Sequence, residues 1–145
     1  IPPSTAISVQ EAIFSGDNAR LKAQIQTLLT QSVSSFDTAG ENFYRGFMLG
    51  LCALLGGAFV TSNRESGDGR YDIQLKPTQK GLPGILIELK AEKNCSDEQL
   101  KKLSETALQQ INDKKYETEL TTAGVRTIYK YGVAFSGKKV EVAVG

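Results

Sequence analysis

The chain has 145 residues, 40% hydrophobic and 23% charged, with a formal net charge of +1. That is the length and apolar content of one folded domain, and it excludes global disorder and a global basic field. There is no histidine, which removes zinc proteases of the HExxH kind, Ser-His-Asp triads and Cys-His nucleophile pairs; a metal would have to be held by carboxylates and carbonyls, whose hard oxygens suit magnesium, manganese or calcium.

The chain begins at Ile1 rather than Met, without a charged leader before an apolar run, and reads as a segment of a longer protein. Ile1 to Thr5 is a Pro/Ser-rich entry, and Ser8 to Phe14 has room for one or two helical turns. Ser15-Gly16-Asp17-Asn18 is a break with an N-cap. From Ala19 to about Val33, Leu21, Ile25, Leu28 and Leu29 recur at helical spacing. Residues 1–40 thus read as a helical lead-in packed on a core formed by 41–145.

A further helix is expected from Glu41 to Leu55, with Phe43, Phe47, Leu51 and Leu54 on one face. Gly46 and Gly50 would allow close packing, and Gly56-Gly57 would end the helix. The apolar stretch from Gly46 to Val60 is too short and too glycine-rich for a membrane span. Cys52 within it reads as core packing. Cys52 and Cys95 have no metal-ligand spacing, a disulfide between them stays open, and the default compartment is a reducing cytoplasm.

Ala58 to Ser62 reads as a short strand, and the turn-rich run from Asn63 to Arg70 follows. Tyr71 to Lys76 alternates as a strand, Pro77 to Pro83 is a loop, and Gly84 to Lys90 is a strand that stays apolar until its end. These two strands suit a hairpin. Ser96-Asp97-Glu98 opens the best-marked helix, with Leu100, Leu103, Ala107, Ile111 and Lys115 on one stripe and Ala123-Gly124 terminating the region. Strands at 127–135 and 139–144 close the chain. The order predicts an α/β domain with a mixed central sheet flanked by helices.

Alternation places Glu88 and Lys90 on one face at the end of their strand. In a hairpin, the start of one strand lies beside the end of the next, so Asp72 can converge on them. Two carboxylates can hold a hard divalent cation, and a lysine beside them can position water and stabilise charge on a phosphate. Asp72, Glu88 and Lys90 therefore suffice for phosphodiester hydrolysis without histidine. The bland alternative is a surface ion pair on an edge strand. Ten of the seventeen Lys and Arg residues lie from Lys90 onward. Lys101, Lys102, Lys114 and Lys115 read equally as a local basic face or as a solvated helix surface.

The αβββαβ order, with an acid at its second strand and Glu-x-Lys ending its third, resembles the PD-(D/E)XK nuclease superfamily. It looks most like the nuclease domain found at the C-terminus of bacterial AAA-ATPase-like proteins. The resemblance runs from Glu41 to Val144. It is carried by Glu65-Ser66-Gly67-Asp68-Gly69-Arg70-Tyr71-Asp72, by Ile87-Glu88-Leu89-Lys90, by Ala107-Leu108-Gln109-Gln110-Ile111 with Tyr116, and by Tyr131 to Lys138. The proline usual before the first acid is replaced by Tyr71.

The resemblance implies a restriction-endonuclease-like fold and a nuclease using Mg²⁺ or Mn²⁺ on DNA more readily than RNA. Asp72, Glu88 and the carbonyl of Leu89 would be metal ligands, and Lys90 the catalytic lysine. Glu41 resembles an acid that serves a second metal or its water shell, although an acid near a helix N-terminus needs no such role. Gln110 and Tyr116 resemble a pair that touches substrate or supports the site, with an exposed helix residue as the alternative for Gln110. Arg70 would contact phosphate or a carboxylate, and Lys114 nucleic acid. An upstream ATPase-like domain and a homodimer are compatible with the resemblance. A catalytically silent nucleic-acid-binding module and a protein-interaction domain are the other functions left open.

Overall fold

Leu21, Ile25 and Leu29 are spaced four apart, and the helix they imply buries all three. That pattern holds across the computed structural model, which describes residues 3–31, 40–62, 72–114 and 117–145, with backbone alone at 113 and 114. Three helices come first: α1 (Pro3–Ile13), α2 (Asn18–Gln31) and α3 (Glu41–Ala53). Strands β1 (Ala58–Ser62), β2 (Ile73–Pro77) and β3 (Gly84–Ala91) follow. Helices α4 (Asp97–Lys114) and α5 (Thr118–Thr122) then lead to β4 (Ile128–Ser136) and β5 (Lys139–Val144).

The five strands lie in the order β1-β2-β3-β4-β5. β2 and β3 form the expected antiparallel hairpin, with Ile73 opposite Ile87 and Leu75 opposite Ile85. β3 and β4 are parallel, so the chain needs a crossover between them, and α4 supplies it. The other neighbouring pairs are antiparallel. The result is the mixed α/β architecture expected of a restriction-endonuclease-like domain.

Period-2 alternation divides the sheet. Ile85, Ile87 and Leu89 of β3, with Tyr131, Val133 and Phe135 of β4, point into the main core beneath α1, α2 and α3. Val9, Ile13, Leu21 and Ile25 belong to that same core, so the first two helices are packed on the sheet. The other face meets α4 and α5 through Leu86, Ile111 and Leu120 at one end and Leu100 and Ala134 at the other. α4 crosses β4 at Gly132, where a Cβ would stand 2.2 Å from the Ser104 carbonyl oxygen. Only glycine admits so close a crossing.

Helix α4 opens on a reciprocal cap. The Gln99 N–H donates to Ser96 Oγ at 3.2 Å, and the Ser96 N–H donates to Gln99 Oε1 at 2.9 Å. Helix α1 begins within the Pro/Ser-rich entry, because a first-turn proline forfeits no helical hydrogen bond. The five-residue α5 has no periodicity to announce it and is anchored by buried Leu120.

The face expected of α3 is corrected. It buries Tyr44, Met48, Leu51 and Cys52, whereas Phe43 is 42% and Leu54 56% exposed. The helix is turned by about one residue because Tyr44 stacks on Phe135, with centroids 4.4 Å apart, and donates its hydroxyl to the Gly137 carbonyl at 2.8 Å. Gly46 and Gly50 consequently face open space among the described residues rather than a close neighbour. Cys52 and Cys95 are both buried free thiols. Among the described residues no helix is long and apolar enough to cross a membrane.

Candidate active site

Asp72 stands where the chain bends just before β2. Its N–H donates to the Ile87 carbonyl at 3.1 Å, tying it to β3 beyond the last register pair. The side chain is almost wholly buried and both carboxylate oxygens accept hydrogen bonds. Oδ2 receives the Leu89 N–H at 2.7 Å, and Oδ1 receives Arg45 Nη2 at 2.6 Å. A buried carboxylate held by a backbone amide and a guanidinium is fixed in place.

Glu88 is 6% exposed and sits on the α4 face of β3 beside Gly132. A carboxylate that deep is held at a cost unless it has partners. Lys90, two residues on, is on the same face, half-buried and beside Ala134. The Leu89 N–H points to Asp72, and in a strand the C=O of a residue points to the same edge as its N–H. The Leu89 carbonyl therefore faces the Asp72 side of β3. Asp72 is thereby tied to the end of β3 that carries Glu88, Lys90 and this carbonyl.

Two residues join this end that sequence patterning passed over. Arg45 lies on α3 with its side chain 12% exposed, and besides Asp72 it approaches Glu41 Oε1 at 3.8 Å. Its signal was position, since Glu41, Arg45, Met48 and Cys52 share a helical stripe. Gln74 is opposite Leu86 and 2% exposed, and its Oε1 has no partner among the described residues. Residues two apart share a strand face, so Gln74 lies diagonal to Glu88 on the α4 side. A polar residue at an inward position of an otherwise apolar strand could have marked it.

Glu41, at the first turn of α3, pairs with Arg45 rather than touching Asp72 or Glu88. Gln110 is half-buried on α4 between Ala107 and Ile111, which face the sheet. Arg70, Tyr116, Lys115 and the Lys114 side chain lie outside the described residues, as does Glu65. Lys101 and Lys102 are exposed on α4.

A groove of ≈ 750 Å³ starts two residues beyond Lys90 and is lined by Lys93, Asn94, Gln99, Lys102 and Thr106. Gln99, Thr106 and Gln110 recur at helical spacing on one flank of α4. A second cavity of ≈ 630 Å³, between the 76–82 and 123–127 segments, lies at the opposite end of the hairpin from Asp72. The first opens at the end of β3 that carries Lys90, with Glu92 also on its wall, and the second lies away from it.

Among the described residues no three His, Cys, Asp or Glu side chains cluster to hold a metal. The candidate donors at this end of the hairpin are the Asp72 and Glu88 carboxylates and the Leu89 carbonyl. Such a set of hard oxygens fits Mg²⁺, Mn²⁺ or Ca²⁺, and Asp72 already keeps a cation's company in Arg45.

No curated protein and no solved structure matches the chain. The PD-(D/E)XK nuclease superfamily matches residues 39–144, a span that contains α3, the five strands, and the residues Asp72, Glu88 and Lys90. With that match over most of its length, the chain belongs to the PD-(D/E)XK nuclease superfamily.

Proposed function

We propose that this protein is a metal-dependent deoxyribonuclease in which Asp72, Glu88 and the Leu89 carbonyl hold Mg²⁺ or Mn²⁺ and Lys90 serves the attacking water. The observation that supports the reading is a buried Asp72 bonded to the Leu89 N–H, next in β3 to a buried Glu88, in a chain of this superfamily. When bound, a divalent cation supplies Lewis-acid polarisation of a phosphate oxygen and a more acidic water.

The chain's own residues do the rest. The Leu89 N–H fixes the Asp72 carboxylate, so that its orientation needs no reorganisation at the moment of reaction. Glu88, held rigid on β3 beneath α4, supplies the second carboxylate. The Lys90 ammonium, at the mouth of the site, orients water toward phosphorus and balances charge gathering on the phosphate oxygens. Lys93 and Lys102 stand with Glu92 in the groove beyond β3 and can meet a phosphate backbone there, with Gln110 further along α4. Arg70, Tyr116 and Lys114 complete the proposed nucleic-acid contacts, and Glu41 acts near the site.

In this reading, residues 1–40 are a helical lead-in and 41–145 the nuclease-like domain. The protein works in the cytoplasm, beside an upstream ATPase-like domain or as a homodimer. The test is incubation with linear, circular and single-stranded DNA in Mg²⁺, Mn²⁺ or EDTA. Cleavage should require metal and fall at least about 10²-fold in Asp72→Ala and in Lys90→Ala, the scale of losing one preorganised charge. Normal cleavage by either variant, with its fold intact, would reject the assignment.

The Arg45 contact favours one second reading. A guanidinium on Asp72 Oδ1 also suits a catalytically silent module that binds nucleic acid or a protein through the same groove. Metal-independent binding without cleavage would select it.

A further inference from the structure

The buried stripe of α3 is Tyr44, Met48, Leu51 and Cys52, and Arg45 enters beside it with its guanidinium nearly enclosed. A guanidinium that deep requires a partner. It has a close one in Asp72 Oδ1, at 2.6 Å, and a looser one in Glu41 Oε1, at 3.8 Å. Its Nε finds no acceptor among the described residues. The two carboxylates differ sharply in setting: the Asp72 side chain is 2% exposed and the Glu41 side chain 42%.

Asp72 thus already has a resident counter-cation. A divalent ion shared by Asp72 and Glu88 would lie within a few ångströms of that guanidinium, in a site where water screens poorly. Like charges so placed cannot both be held at full strength. Arg45 has somewhere to go, because Glu41 stands one helical turn back on the same helix face.

We infer that Arg45 is a built-in competitor for Asp72, and that Glu41 receives its guanidinium when a metal ion loads, so that the pair sets the metal affinity of the site. Without metal, Arg45 keeps the buried Asp72 charge from standing uncompensated. With metal, its transfer to Glu41 relieves the repulsion. Arg45 is a positioning residue here and touches no reacting atom. The inference rests on the proposed metal role of Asp72.

The test needs neither nucleic acid nor turnover. Mn²⁺ is titrated calorimetrically into the wild-type protein, Arg45→Met, Arg45→Lys, Glu41→Gln, Asp72→Asn and the Arg45→Met/Glu41→Gln pair, and each is melted in EDTA and in Mn²⁺. Arg45→Met should melt lower in EDTA, bind Mn²⁺ about tenfold or more tighter than wild type, and gain more in Tm on adding Mn²⁺. Arg45→Lys should fall between the two.

Glu41→Gln should weaken Mn²⁺ binding several-fold in the wild-type background and leave it unchanged in the Arg45→Met background. That non-additivity is what action through Arg45 requires. Equal or weaker binding in Arg45→Met would overturn the inference and make Arg45 a plain brace for Asp72. A Glu41→Gln effect that persists without Arg45 would overturn the role given to Glu41. Should Arg45→Met not fold, the Arg45→Lys affinity and the Glu41→Gln effect decide between the same outcomes. Mn²⁺ binding retained in Asp72→Asn would instead sink the underlying metal assignment, a result separate from any ranking of the Arg45 variants.

Discussion

The two faces of β3 do opposite work from alternate residues of one strand. Ile85, Ile87 and Leu89 enter the main core, where α1, α2 and α3 cover them completely. Leu86, Glu88 and Lys90 face α4, where the neighbouring β4 positions are Gly132 and Ala134. The first face gathers hydrophobic stabilisation of about 1.5–3 kcal/mol for each large side chain buried. The second gives up side-chain volume so that α4 can come close, and it accepts a buried carboxylate. Stability and chemistry are therefore separated by a single residue step along the strand, so substitutions at neighbouring positions should have unlike consequences.

The largest effect should come where the second face is tightest. A Cβ at Gly132 would lie 2.2 Å from the Ser104 oxygen and 2.5 Å from the Leu108 nitrogen, both backbone atoms of α4. No rotamer change relieves that, so Gly132→Ala should lose about 4 kcal/mol or more, a size that marks a specific steric failure. At Gly84 the obstacle is the Leu120 side chain, at 2.8 Å. Leu120 can shift, and Gly84→Ala should cost about 1–3 kcal/mol, the usual range for overpacking. Chemical denaturation of both variants checks the contrast, and equal losses would mean that α4 moves as easily as a leucine tip.

Ile87 and Glu88 then offer the sharpest comparison. Ile87→Ala should cost about 2–5 kcal/mol through lost burial and the cavity left behind, yet leave cleavage per folded molecule within a few-fold. Glu88→Gln keeps the shape and removes the charge. Its stability should change by about 1 kcal/mol or less, while kcat falls at least about 10²-fold. Denaturant midpoints and single-turnover cleavage on the same samples separate the two. If Ile87→Ala lost activity in step with Glu88→Gln, the separation of faces would be wrong.

Much of this was legible because the informative signals are local. The Ile-x-Ile-x-Leu and Leu-x-Glu-x-Lys alternations share β3, and the Ser96…Gln99 cap is four residues long. What escaped depends on contacts between distant segments. Phe43 and Phe47 gave α3 a plausible apolar stripe, but Tyr44 wins the buried position because Phe135 and the Gly137 carbonyl, both over ninety residues later, stack on its ring and accept its hydroxyl. The same rotation carries Arg45 inward to Asp72, a pairing that no local pattern encodes. Gln74 alternates like any strand residue, and nothing in β2 alone announces its burial. The place of Asp72 beside the end of β3 was legible because hairpin geometry fixes which strand ends meet.

The main core also makes an alkaline prediction. Burial pushes the Cys52 thiol from its ordinary 9.0 up to about 12. Burial likewise raises Tyr44, partly offset by its bond to the Gly137 carbonyl, and raises Tyr131. Each group keeps its proton more tightly folded than unfolded, so the unfolded chain is the first to release protons as pH rises. Stability is then full below the unfolded pKa and declines as pH climbs towards the folded value, by about 1.4 kcal/mol per pH unit for one fully shifted group. For Cys52 that window runs from 9.0 to about 12. Cys52→Ala should be less stable than wild type near pH 7, because the sulfur is lost from a packed core. As pH rises through that window the deficit should shrink, since only the wild type has a thiol to titrate. Urea midpoints for both proteins at several pH values measure it, and a deficit that stayed constant would show that the thiol is not held protonated by the fold.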